Sequence, residues 1–139
     1  MSEEITVEKV QEILDGSPFI KAFGMKIVEL DAENERIVMT MPMHPIAERR
    51  EGTGQYHGGA IASLIDTAGD FALIARLGGP VPTVNFRTDY LRPAMNTDLR
   101  ATATVRRAGR TVAVVDIDVH DDQGRLCAVG RGTYSTQLG

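Results

Sequence analysis

Cysteine is nearly absent. Cys127 is the only one, so no intrachain disulfide can form, no cysteine cluster can hold zinc, and a reducing, cytoplasmic setting is the expectation. Positive charge is also in short supply: 15 Lys plus Arg stand against 19 Asp plus Glu, for a net charge of -4 and no basic tail. A nucleic-acid binder needs a basic footprint to displace counterions from phosphates, so nucleic acid is not an expected partner. Long hydrophobic runs are missing as well. The longest, such as 71–75, reach about five residues, far below a membrane span, and the acidic start Met1-Ser2-Glu3-Glu4 does not read as a signal peptide. His44, His57 and His120 show no ligand spacing, so neither a metal nor another cofactor is expected. What is present is ordinary. The 139 residues, 42% hydrophobic and 24% charged, suit one folded domain over 1–139 whose core needs no covalent or metal staple.

Two short helices open the chain within 1–24. Val7, Val10, Ile13 and Leu14 recur at helical spacing before Gly16, and Ser17-Pro18 starts a second short helix that Gly24 closes. The period then switches to two. Residues 25–31 and 36–43 read as a hairpin about the turn Asp31-Ala32-Glu33-Asn34, and 44–56, polar and broken by Pro45, Gly52 and Gly54, reads as a loop. The longest helical pattern runs from Gly58 to Leu77, with Ile61, Leu64, Ile65, Ala68, Ala72 and Ala75 on one stripe and Gly78-Gly79-Pro80 as its stop. Four β runs follow, at 82–91, 97–107, 110–120 and 125–136. Leu99, Ala101, Ala103 and Val105 alternate with polar neighbours, as do Ala113, Val115, Ile117 and Val119, the mark of half-buried antiparallel strands. The short connectors 107–109 and 121–124 pair those strands in sequence. This is an α+β chain in which a curled antiparallel sheet of about six strands wraps one long central helix, an arrangement that resembles the hotdog fold.

The stretch from Tyr56 to Asp66 is where chemistry concentrates. Gly58 and Gly59 open the long helix, where backbone N–H groups lack intrahelical partners and the dipole is positive; without a Cβ they let an oxygen come close, so the Gly58 N–H suits a carbonyl that becomes an oxyanion. Equally, such glycines relieve crowding where a loop enters a helix. Asp66 lies mid-helix among apolar residues, a poor place for a carboxylate without a partner or a task, and is a candidate base or nucleophile; on a polar stripe with Asp70 it would simply face water. Eight residues separate Gly58 from Asp66, which on a straight helix is roughly 12 Å along the axis and about 80° around it. One helix therefore cannot bring both to a single carbonyl. Two helices related by a two-fold axis can, which places the site at the interface of a homo-oligomer, a dimer or a dimer of dimers.

His57-Gly58-Gly59, Asp66, and the run from Thr83-Val84-Asn85-Phe86 to Tyr90-Leu91-Arg92-Pro93-Ala94 resemble the acyl-CoA thioesterases of the hotdog superfamily, of the phenylacetic-acid-degradation (PaaI-like) and thioesterase superfamily member 2 type, over about residues 17–137. The resemblance implies hydrolysis of an acyl-CoA thioester. It implies Gly58 as oxyanion donor, Asp66 of the partner subunit as base or nucleophile, His57 as an orienting group and Thr83 as the hydroxyl that positions water, with Gly59 and Asn85 at the substrate. Seven residues before Gly58 the family carries Asn or Gln, and this chain has Glu51. A carboxylate there would repel Asp66 or stay protonated and donate a hydrogen bond; a shifted loop would leave Gln55 to supply the amide instead.

Arg106, Arg107 and Arg110 gather at one hairpin and Arg131 stands between two glycines; Arg107 and Arg131 are candidates for coenzyme A phosphates, or belong to a solvated hairpin tip. Asp116, Asp118, Asp121 and Asp122 read as exposed strand face and turn, and Cys127 as an inert core thiol. Ile46, Phe71 and Phe86 are expected to line the acyl pocket. Ser63 lacks a nucleophile elbow, and no strand-to-helix His and acid pair suggests a hydratase. A non-catalytic acyl-CoA binding module is the alternative to the enzyme, and Glu51 is the feature that favours it.

Overall fold

The computed structural model describes residues 4–137; the outermost residues of the expected 1–139 span lie outside them. Helix α1, Val7–Asp15, is capped by Thr6, whose hydroxyl accepts from the Lys9 N–H, and buries Val10 and Leu14. Helix α2, Pro18–Ala22, is capped in the same way by Ser17. Strands β1 (Lys26–Asp31) and β2 (Arg36–Met41) form the expected hairpin, and a single 3-10 turn, Pro45–Ala47, interrupts the loop after it. Then come α3 (Gly58–Phe71), the one-turn α4 (Ile74–Leu77), β3 (Thr83–Tyr90), β4 (Leu99–Ala108), β5 (Val112–Asp121) and β6 (Leu126–Ser135). The strands make one antiparallel sheet in the order β1-β2-β4-β5-β6-β3.

Helix α3 packs against β2, β3, β4, β5 and β6, so the sheet bends around it, and the fold is the hotdog. Its stripe of Ile61, Leu64, Ile65 and Ala68 meets Ala101, Ala103, Val115, Ile117 and Val119 from the sheet, all buried. The 58–77 interval is helical in two pieces. Hydrogen bonds from Ala72 N–H to the Ala68 carbonyl and from Leu73 N–H to the Asp70 carbonyl close α3, and Gly78, at φ +80°, ends α4 in the left-handed conformation that glycine tolerates.

Two expectations change. Phe71 is 4% exposed and belongs to the core rather than to a pocket, because the helix turns its face inward there. Asp121 is buried, not exposed: its carboxylate accepts from the Gln123 and Arg125 N–H groups and from the Arg125 guanidinium, which closes the β5–β6 turn. Cys127 is a buried free thiol, as expected, and burial pushes its titration up.

Candidate active site

The entry to α3 is held from several sides. His57 N–H donates to the Ala47 carbonyl at 2.7 Å, Tyr56 N–H to the Ala94 carbonyl at 3.0 Å, and the buried Tyr56 hydroxyl to the Thr97 carbonyl at 2.8 Å. The sequence reads as a loop at 44–56, yet its second half is stitched to residues 94–97. His57 is the N-cap of α3: its Nδ1 accepts from the Gly59 N–H at 2.8 Å. This commits the Gly59 amide and leaves the Gly58 N–H, among the described residues, without an acceptor at the positive end of the helix. Tyr90 reaches over from β3, its hydroxyl donating to the Gly58 carbonyl at 2.7 Å. A Cβ on Gly58 would lie 3.1 Å from the Tyr90 ring, a tight contact that Tyr90 would have to yield to by a few tenths of an ångström. Gly58, Gln55, Ile61, Tyr90 and Leu91 line an open groove of about 430 Å³.

Two turns further along α3, Asp66 is half-buried, and its Oδ1 accepts from the Thr83 hydroxyl at 2.8 Å. The strand is bent to allow this. A bulge at Val84 shifts the β3–β6 register between Thr83 and Asn85, so that Thr83 opposes Tyr134 while Phe86 opposes Gly132. Without the extra residue, Thr83 and Phe86 would point to opposite faces; with it both face α3, an instance of a bulge re-aiming a side chain. Asn85, opposite Thr133, falls on the other face of β3 and does not join the Asp66–Thr83 pair.

The helix beneath Asp66 is fixed by Tyr134. Its hydroxyl donates to the Asp66 backbone carbonyl at 3.1 Å, and its ring occupies a slot that a Cβ on Gly69 or Gly132 would fill. Burial first, then the charges of Asp66 and Asp70, hold this phenol protonated, so it acts as a donor. Asp70, one turn beyond Asp66, accepts from the Val81 N–H at 2.9 Å. Burial pushes its carboxyl up to about 6; the Val81 bond opposes this and the Asp66 charge adds to it.

The remaining candidates lie apart from this pair. Glu51 is exposed at a turn in which the Thr53 N–H bonds the Arg50 carbonyl, whereas Gln55 lines the groove beside Gly58. Arg131 is on the outer face of the sheet in a bidentate pair with Asp116, at 2.6 and 3.0 Å, with Arg106 at 3.4 Å from the same carboxylate. Arg107 is exposed near the end of β4, where a bulge also falls. No group of three or more metal-ligating side chains occurs among the described residues, and no helix there is long and apolar enough to cross a membrane. Sequence reasoning passed over Tyr90, Tyr134 and Asp70 as site residues. For Tyr134 there was a signal, a lone tyrosine following two alternating glycines in a strand, and Tyr90 stands in the Tyr90-Leu91-Arg92-Pro93-Ala94 run that carries the resemblance, though its bond to Gly58 shows only in the fold; for Asp70 the signal is only in the fold.

The Thioesterase superfamily matches residues 53–128 of this chain. Acyl-coenzyme A thioesterase PaaI of Escherichia coli is 35% identical over 114 residues, covering 81% of this chain and 77% of the relative. The medium/long-chain acyl-CoA thioesterase YigI of Escherichia coli is 26% identical over 158 aligned positions, covering 96% and 98%. Among solved structures, a thioesterase of Haemophilus influenzae superposes with a TM-score of 0.84 at 27% identity, covering 96% of this chain and 91% of that one. The chain belongs to the thioesterase superfamily, and the class of reaction is thioester hydrolysis.

Proposed function

We propose that this protein hydrolyses an acyl-CoA thioester to the free acid and coenzyme A, in the cytoplasm, at a site completed by two copies of the chain. The observation that carries the reading is the division of labour along α3. A Gly58 N–H that has no partner among the described residues stands at one end of the segment and a hydroxyl-supported carboxylate at Asp66 two turns away, too far along one helix to serve a single carbonyl. Strand β3 supplies the means of bringing two helices together. Among the described residues it ends the sheet, pairs only with β6, and exposes Val84 at 58%, Phe86 at 36% and Tyr90 at 54%. An edge with free backbone groups and exposed apolar side chains is a template for a second copy, and pairing about a two-fold axis sets Asp66 of one subunit toward Gly58 of the other.

The thioester carbonyl accepts from the Gly58 N–H. Water attacks its carbon while Asp66 takes the proton, and Thr83 holds the Asp66 Oδ1 in place. The negative charge that grows on the carbonyl oxygen is met by the helix N-terminus, and collapse breaks the C–S bond, with the proton passing to the departing sulfur. In the nucleophilic variant of this scheme Asp66 itself adds to the carbon and expels coenzyme A as the thiolate, and water hydrolyses the resulting mixed anhydride, releasing the acid, restoring the Asp66 carboxylate and supplying the proton that the thiolate takes. His57 caps the helix so that the Gly58 amide stays free, and Gly59 leaves room beside it. Gln55 offers an amide in the groove where Glu51 departs from the family. Arg107 and Arg131, on the outer side, are offered as contacts for the coenzyme A phosphates, and Asn85 as a contact on that same face.

Thiol release from a panel of aromatic and aliphatic acyl-CoA thioesters tests this directly. Asp66→Asn is expected to lower turnover on the order of 10²-fold or more while the fold is kept. Turnover at the wild-type rate in that variant would remove Asp66 from the mechanism. Tight binding of the thioesters without turnover of any would instead make the protein an acyl-CoA binding module.

A further inference from the structure

Two carboxylates one helical turn apart on α3 catch the start of β3. Asp66 takes the Thr83 hydroxyl at 2.8 Å, and Asp70 takes the backbone N–H of Val81 at 2.9 Å, two residues earlier in the chain. The segment between Asp70 and Thr83 includes the one-turn α4, the left-handed Gly78, around which no atom lies within 4 Å of where a Cβ would be, and the exposed Pro80 and Pro82. A bond from the Ser135 N–H to the Pro82 carbonyl at 2.9 Å ties this segment sideways to β6. Besides the Asp66–Thr83 bond itself, the Asp70 bond to Val81 is, among the described side-chain hydrogen bonds, the one that ties its end back to α3.

We propose that Asp70 is a positioning residue for the Asp66–Thr83 pair: by holding the Val81 backbone against α3 it sets the height at which Thr83 enters the sheet and so delivers the Thr83 hydroxyl to Asp66. The inference rests on the reading of Asp66 as the reacting carboxylate. The geometry is of the kind that makes such a tie effective. Val81 itself is 6% exposed, and the bulge at Val84, immediately beyond Thr83, disrupts the β3–β6 ladder locally where Thr83 enters it. A charged acceptor is also an expensive choice for one backbone N–H. Burial raises the Asp70 carboxyl, Asp66 and Tyr134 are the titratable groups facing it from α3 and β6, and no cation lies within 4.0 Å of either carboxylate among the described residues. An asparagine would make the same bond without that cost. What the carboxylate adds is a stronger, charge-assisted bond at the residue that orients the site.

The test is a double-mutant cycle on thioester hydrolysis, with the wild type's best substrate from the acyl-CoA panel. Asp70→Ala is expected to lower kcat about tenfold with KM changed less than about twofold, as a small misplacement of a reacting group does. Asp70→Asn, which keeps an acceptor oxygen, restores kcat to within about threefold of wild type; Asp70→Gln, whose acceptor is displaced by one methylene, behaves like alanine and serves if the alanine variant does not fold. In a Thr83→Val background, Asp70→Ala is expected to change kcat by less than about twofold, since the group it positions is gone. Effects that multiply independently, or a wild-type kcat in Asp70→Ala, overturn the proposal. Hydrogen exchange of the Val81 amide separates this from the fate of the functional reading. If Asp66→Asn retains full turnover, faster Val81 exchange in Asp70→Ala than in wild type and Asp70→Asn still upholds the tie, and equal exchange in all three overturns it.

Discussion

Strands β5 and β3 belong to one sheet and carry comparable apolar residues, but they use them differently. On β5, Ala113, Val115, Ile117 and Val119 are each no more than 1% exposed, because β4 and β6 flank the strand and α3 lies over it. On β3, Val84, Phe86 and Tyr90 stay in contact with solvent, since β6 is its one strand neighbour among the described residues and α3 covers part of its inner face. Apolar side chains on β5 finish their work within the chain. Those on β3 are left over, beside the Thr83–Asp66 pair and the Tyr90–Gly58 contact, and in the proposed dimer a second copy covers them and completes the site.

That contrast can be broken at either strand. The largest effect is expected at β5: Ile117→Ala should cost about 2–5 kcal/mol of unfolding free energy, read from urea titration, because it empties a buried volume against Gly69. At β3, Phe86→Asp should leave the monomer's circular dichroism unchanged and raise the dimer dissociation constant by about tenfold or more, with hydrolysis falling in parallel. A sedimentation profile unchanged from wild type would show that β3 is not the interface. Next comes a pH effect beneath the site. The Asp70 carboxyl titrates near 6 in the fold against 3.8 as a free group, so the folded state holds its proton more tightly. The fold is favoured at pH below 3.8 and loses that advantage as the pH rises through 6. Replacing the carboxylate by Asn should therefore gain stability relative to wild type as the pH is raised from 4 to 8, on the order of 2 kcal/mol after solvent screening. A constant difference between the two proteins across that range would show that the carboxyl is not perturbed. The smallest effect is expected from Tyr134→Phe, which removes one neutral hydrogen bond to the Asp66 carbonyl and should cost about 1 kcal/mol, measured by thermal unfolding.

Much of this was legible from periodicity. The alternation of Leu99, Ala101 and Ala103, and of Val115, Ile117 and Val119, marked the buried faces of β4 and β5; the spacing of Val7, Val10 and Leu14 marked the first helix and the Ser17 hydroxyl the second. The apolar stripe of α3 was visible too, though the break at Ala72–Leu73 was not: no glycine or proline stands there, and Leu73 and Ile74 are buried beyond it where the stripe predicted Ala75. Asp121 looks exposed when grouped with Asp116 and Asp118, yet it falls in phase with the buried Ala113, Val115, Ile117 and Val119, and its carboxylate is satisfied there by the turn it closes. Phe71 was misplaced because a helical stripe states which residues share a face but not which end of the helix the sheet covers.

The amino-acid sequence by itself determined the elements, their buried faces, and the separation that keeps Gly58 and Asp66 from meeting on one helix, since these follow from local geometry repeated at fixed periods. Only the tertiary structure decided which amide at the helix start stays free, that a bulge turns Thr83 onto Asp66, that Tyr134 and Tyr90 grip α3 at two points, and that Asp70 holds the approach to β3. Each of these is a hydrogen bond or register between residues far apart in the chain, and such contacts exist only after the sheet has closed around the helix.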